Sequence, residues 1–147
     1  MSQHPVLQVA AKAVIINSKG ELLLVREGRD YDEGSQFHKY GIPGGRLEAG
    51  ESYKDGLHRE VMEETGLEVE ILDPIYVGEW RPVIKGISTQ IIAIFTVCKA
   101  KTTEVKLSEE HDDYKWVHPS SPGDTVFMVP DDMVVARLAK WLKDNRL

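Results

Sequence analysis

Three glutamates, Glu60, Glu63 and Glu64, stand at i, i+3 and i+4 in the segment Arg59-Glu60-Val61-Met62-Glu63-Glu64. In a helix, at about 100° per residue, this spacing gathers the three carboxylates on an arc of roughly 100°. The same wheel sets Glu64 between Tyr53, Leu57 and Val61, on the side that the apolar residues mark as buried. An unpaired buried carboxylate is costly, so something positive must meet it. Arg59, one turn before Glu63, neutralises one acid, which leaves Glu51, Glu60, Glu63 and Glu64 with surplus negative charge. Clustered carboxylate oxygens suit a hard divalent cation, Mg²⁺ or Mn²⁺. Just upstream, Ile42-Pro43-Gly44-Gly45 supplies paired glycines, which let backbone atoms come close to a metal or a phosphate. A run of glutamates is ordinarily a solvated acidic face. The adjoining apolar stripe, the interleaved arginine and the glycine turn favour chemistry instead.

Elements must position these groups. Ser52 and Asp55 form a capping signal, Tyr53, Leu57 and Val61 recur at helical spacing, and Gly66 supplies a stop, which predicts a helix over Tyr53 to Thr65. Val9 to Ile16 and Leu22 to Val25 read as two strands joined by a hairpin through Ser18 to Glu21. Glu27 to Tyr40 reads as a long surface loop of the kind that borders binding sites. Glu68 to Leu72 and Ile75 to Trp80 predict two strands around Asp73-Pro74. Ile87 to Cys98 is apolar enough for a central strand covered on both faces. Tyr114 to Val117 adds a short strand, and Val134, Leu138, Trp141 and Leu142 mark an amphipathic terminal helix. The expectation is a mixed α/β chain built on one central sheet.

The 147 residues form one domain by this reading, with 41% hydrophobic and 29% charged residues. No stretch approaches the roughly 18 apolar residues of a membrane span. With 18 Lys and Arg against 24 Asp and Glu, the net charge of -6 opposes binding to duplex nucleic acid. A phosphate-bearing ligand therefore needs recruited cations. The single cysteine, Cys98, forms no internal disulfide, and MSQHPVLQ lacks a signal-peptide pattern, so a cytoplasmic location is expected.

Gly45, five residues, Glu51, seven residues, then Arg59 to Leu67 resembles a complete Nudix box over residues 45–67, the signature of Nudix hydrolases. The resemblance implies a Nudix-type α/β/α sandwich with a mixed β-sheet between helices. It also implies metal-dependent hydrolysis of a diphosphate linkage in a nucleoside diphosphate joined to a further group X. Glu60, Glu63 and Glu64 inherit the metal-binding role, with the Gly44 carbonyl as a further ligand, while Arg59 and Glu51 orient the acids. The general base in this family is either a box glutamate, here Glu60, or an acid of a later loop. In Leu107 to Val117 a glutamate beside histidine matches that loop: Glu110 first, Glu109 behind it, both as a base and as a metal ligand, with His111 structural. A homodimer is a further expectation from the resemblance.

Two departures stand out: Tyr40 where relatives often carry tryptophan, and Gly56 where they often carry alanine. By helix propensity alone Gly56 weakens the helix by roughly 1 kcal/mol. Substrate choice lies outside the box. Pro82, fifteen residues past Leu67, resembles the ADP-ribose pyrophosphatase subgroup, and a MutT-like nucleoside triphosphate pyrophosphohydrolase fits equally well. Phe37, Tyr40, Trp80 and Arg81 are candidates to stack on or hydrogen-bond a nucleobase. The competing reading is a catalytically silent, nucleotide-sensing module of the same fold, although such modules usually lose box acids and this chain keeps them. RNA decapping is disfavoured by the missing basic patch.

Overall fold

The computed structural model of the chain describes residues 4–28, 39–123, 125, 127 and 131–145. Its elements run β1 (Val6–Ile16), β2 (Leu22–Glu27), β3 (Tyr40–Gly41), β4 (Gly44–Arg46), α1 (Tyr53–Thr65), β5 (Val69–Trp80), β6 (Val83–Ile84), β7 (Ile87–Ala100), β8 (His111–Val117) and α2 (Asp131–Asn145). One sheet runs β3-β2-β1-β7-β5, with β4 on β1, β6 on β7 and β8 on β2. β1 and β7 are parallel, from Val6 opposite Thr89 to Ile16 opposite Lys99, and the remaining pairings are antiparallel. The sheet is therefore mixed.

Alternation along β1 explains the layers. Ala11, Ala13 and Ile15 face α1, where they pack with Leu57, Val61, Leu23 and Cys98. Val14 and Ile16 face the other way, packing with Leu22, Leu24, Phe95 and Val97 under Val134, Val135 and Leu138 of α2. Leu57 and Val61 are fully buried, each burial contributing about 1.5–3 kcal/mol. The result is the expected α/β/α sandwich.

α1 has the predicted bounds. Ser52 is extended at φ -69° and ψ 155°, and its side chain accepts the Asp55 amide at 3.1 Å. Gly66 is left-handed at φ 70° and donates its N–H to the Met62 carbonyl at 3.0 Å. The β1–β2 hairpin forms around Asn17, whose side-chain oxygen accepts the Lys19 and Glu21 amides at 3.0 and 2.9 Å.

Three expectations change. The two strands around Asp73-Pro74 are one edge strand, β5, whose register slips between Ile71 and Pro74 and again between Pro74 and Tyr76. A bulge absorbs a proline that has no N–H to give. β7 is covered on both faces only from Phe95 to Cys98, because Ile92 and Ile94, ahead of that stretch, remain half-buried. The segment from Glu27 to Tyr40 is strand at both ends, and residues 29–38 between them lie outside the described residues.

Candidate active site

The turn before α1 brings the glycines against the acids. Gly44 has φ 142°, and a β-carbon there would sit 2.7 Å from the Lys12 Cα. At Gly45 a β-carbon would meet the Glu60 carboxylate at 2.5 Å, so only glycine lets that acid lie on the turn. The Gly44 amide donates to Glu64 at 3.2 Å, joining β4 to the helix.

Arg59 organises the acids. Its guanidinium holds Glu51 with two bonds, Nε to Oε2 at 2.6 Å and Nη2 to Oε1 at 2.8 Å. Nη1 reaches Glu60 at 3.0 Å and Glu63 at 3.3 Å. The Arg59 bond, reinforced by the Glu48 amide, lowers the Glu51 carboxyl to about 2, and Arg59 itself is raised above its ordinary value. Glu60 is pushed up by burial against the pull of Arg59. Burial pushes Glu64 up to about 8, with the Glu60 and Glu110 charges adding and with Lys12 and the Gly44 amide opposing. His111 Nε2 lies 3.8 Å from Glu64, and burial lowers the imidazole below its ordinary pKa.

The structure brings Glu51, Arg59, Glu60, Glu63, Glu64 and the Gly44-Gly45 turn together. Glu110 is exposed, and its backbone carbonyl accepts the Gly28 amide at 2.9 Å. Its charge acts on both Glu64 and His111. Glu109 is exposed as well. Tyr40 donates its hydroxyl to Asp113 at 2.7 Å, and Lys115 lies 4.3 Å from the centre of its ring. Trp80 packs against the core under α2, and Arg81 pairs with Glu79 at 2.7 Å. Among the described residues no hydrogen bond or ion pair joins either to the box. Phe37 lies outside the described residues.

Sequence reasoning missed Lys12 and Asp131. Lys12 Nζ donates to the Ile42 carbonyl at 3.3 Å, and the buried Asp131 carboxylate accepts the Ile42 amide at 2.9 Å. A lysine inside an apolar strand and an aspartate in a first helical turn both have ordinary explanations, so nothing in the spacing signals this contact.

A divalent cation fits the donor set. Its oxygens are hard, Glu64 is buried, and Gly45 leaves the Glu60 carboxylate room above the backbone. Among the described residues no three His, Cys, Asp or Glu side chains already close on one point. Arg59 holds Glu60 and Glu63 while Gly44 holds Glu64.

A NUDIX domain model matches residues 6–141. A MutT-like protein from Streptomyces ambofaciens is 32% identical over 115 residues, covering 78% of this chain and 66% of its own, just under two thirds. Nucleoside triphosphatase NudI from Escherichia coli (strain K12 / DH10B) is 32% identical over 112 residues, covering 71% of this chain and 78% of its own. The solved MutT protein of Methanosarcina mazei Go1 superposes with a TM-score of 0.74 at 28% identity, over 99% of this chain and 100% of that one. With the box acids on one helical arc and the glycine turn beneath them, the chain belongs to the Nudix hydrolase family.

Proposed function

We propose that the chain hydrolyses a diphosphate linkage in nucleoside diphosphate-X substrates, using Mg²⁺ or Mn²⁺ held by Glu60, Glu63 and Glu64, with Glu110 and the Gly44 carbonyl completing the ligand set. The observation that carries this reading is buried Glu64 beside Glu60, the one bonded to the Gly44 amide and the other lying against Gly45. When bound, the cation neutralises charge building on the pyrophosphate and lowers the pKa of a water. The protein's own groups do the rest. Glu51 fixes Arg59, and Arg59 aligns Glu60 and Glu63. Nη1 would compete with a cation held by Glu60 and Glu63 for these carboxylates, while the two bonds to Glu51 would keep the guanidinium in place. Glu60, or Glu110 from the loop before β8, takes the proton of the attacking water. Water adds across the P–O–P bridge in line, giving a nucleoside monophosphate and pyrophosphate from a triphosphate, or AMP and ribose phosphate from ADP-ribose.

The likeness to a nucleoside triphosphatase supports triphosphates as the first substrates to test. The silent-module alternative is disfavoured because the chain keeps every box acid. A product screen with Mg²⁺ and Mn²⁺ over nucleoside triphosphates, oxidised guanine nucleotides, ADP-ribose, NADH and dinucleoside polyphosphates tests the reading. Wild-type turnover should fall about 100-fold or more in Glu63→Gln with the fold retained. Equal activity in that variant would overturn the metal assignment. Glu110→Gln should lower the rate if the loop acid takes part, and an unchanged rate leaves Glu60 as the base.

A further inference from the structure

The two peptide groups that flank Ile42 are each held by a side chain from an element outside the box. The Ile42 N–H donates to Asp131, the first residue of α2, and its carbonyl accepts Lys12 from β1. Asp131 is only 4% exposed, and Lys12 is half-buried in its strand. The chain beyond Ile42 is held in the same manner. The Pro43 carbonyl accepts the Ala13 amide at 2.8 Å, and the Gly44 amide donates to Glu64. Gly44 itself stands opposite Lys12 in the β1–β4 ladder. Four successive backbone polar groups thus have assigned partners, three of them side chains, and the first two of those side chains lie outside the box.

We propose that Asp131 and Lys12 are positioning residues that set the direction of the Ile42-Pro43-Gly44-Gly45 turn, and through it the placement of Glu60 and Glu64 for the cation. The proposal rests on the metal-dependent reading above. A side chain outside the first ligand shell that orients it typically changes metal affinity by about 10–100-fold when lost. Gly44 and Gly45 are held in β4 by pairing to β1 but have no side chains to fix them further, and the Glu60 carboxylate lies against Gly45. A shift of a few tenths of an ångström there is transmitted to the acid at once. Asp131 also ties the start of α2 to the turn, so the helix on the far side of the sheet from α1 takes part in shaping the site.

Three measurements on Asp131→Ala, Asp131→Asn and Lys12→Met test this. Mn²⁺ binding without nucleotide is read by water-proton relaxation, the Ile42, Gly44 and Gly45 amides by NMR, and kcat and KM by steady-state hydrolysis. Asp131→Ala should weaken Mn²⁺ binding about tenfold, move those amide resonances and lower kcat about tenfold, with KM changed less than about twofold. Asp131→Asn, which keeps an acceptor oxygen in the same place, should restore most of all three. Lys12→Met should move the same amide resonances, and because the lost charge beside Glu64 acts on Mn²⁺ binding by itself, the NMR readout is the one that keeps the test open if Asp131→Ala does not fold. A change confined to KM for one base, with Mn²⁺ binding and the turn amides unmoved, would overturn the proposal by placing Asp131 against substrate. Asparagine as damaging as alanine would also overturn it. If wild-type protein hydrolyses nothing, the reading of function fails while the amide resonances still report on the clamp.

Discussion

Gly56 shows how a residue's local propensity and its surroundings can point in opposite directions. Helix propensity alone favours alanine over glycine inside a helix by about 1 kcal/mol. In the folded chain Gly56 is buried, and a β-carbon there would press on the end of Leu47 and come within 2.9 Å of Glu51 Oε1. Leu47 can rotate away. Glu51 cannot move freely, because Oε1 also accepts Arg59 at 2.8 Å and the Glu48 amide at 3.0 Å. Gly56→Ala should therefore give no gain in thermal stability and should lower kcat about tenfold by tilting Arg59. Thermal unfolding beside steady-state kinetics checks both parts. A variant more stable by the full propensity value and equally active would show that Glu51 relaxes without disturbing the arginine.

At the scale of elements, the β6–β7 hairpin carries a strain that can be removed. Ile84 pairs with Ile87, so Lys85-Gly86 is a two-residue loop, and both residues have positive φ, 49° and 78°. That geometry suits the twist of the strands and favours Asn-Gly over Lys-Gly. Lys85→Asn should stabilise the chain by about 0.5–1 kcal/mol, raising Tm by about 1–4 °C. Lys85→Val, β-branched and ill suited to the left-handed region, should lower it, and the opposite order in a thermal scan would refute the strain. This hairpin was absent from the sequence reading, as were β3 and β4, because strands of two or three residues carry no period. α1 was legible to its end residues because Ser52 and Gly66 are chemical stops as well as ends of a pattern. β5 was divided in two because Pro74 normally ends a strand, and only an edge position with a bulge lets it continue. The acids, Arg59 and the glycine turn were legible because they are adjacent in sequence. Lys12 and Asp131 reach the turn through the sheet and α2, a proximity that only the fold creates.

Across the whole molecule, Cys98 reports on the cooperativity of the sandwich. It sits on β7 in the cluster beneath α1, with Ala11, Ala13, Ile15, Leu57 and Val61 around it. The side chain is fully buried, and burial raises its thiol to about 12. Thiolate attack on a disulfide reagent therefore needs both exposure and a return to an ordinary pKa, which the folded sheet denies. β7 is paired along both edges, with β1 on one side and β5 on the other, so exposing Cys98 by fraying requires breaking two ladders at once. Opening should accordingly be global, and the labelling rate should follow overall stability. Leu57→Ala removes a buried neighbour in the same cluster at a cost of about 2–5 kcal/mol. It should speed labelling by a disulfide reagent about 30-fold or more in native buffer. Lys143→Gln, at an exposed position near the end of α2, should leave the rate unchanged. If the native thiol reacts rapidly and Leu57→Ala labels at the wild-type rate, Cys98 is reached by a local opening, and the two faces of the sheet do not unfold as one unit.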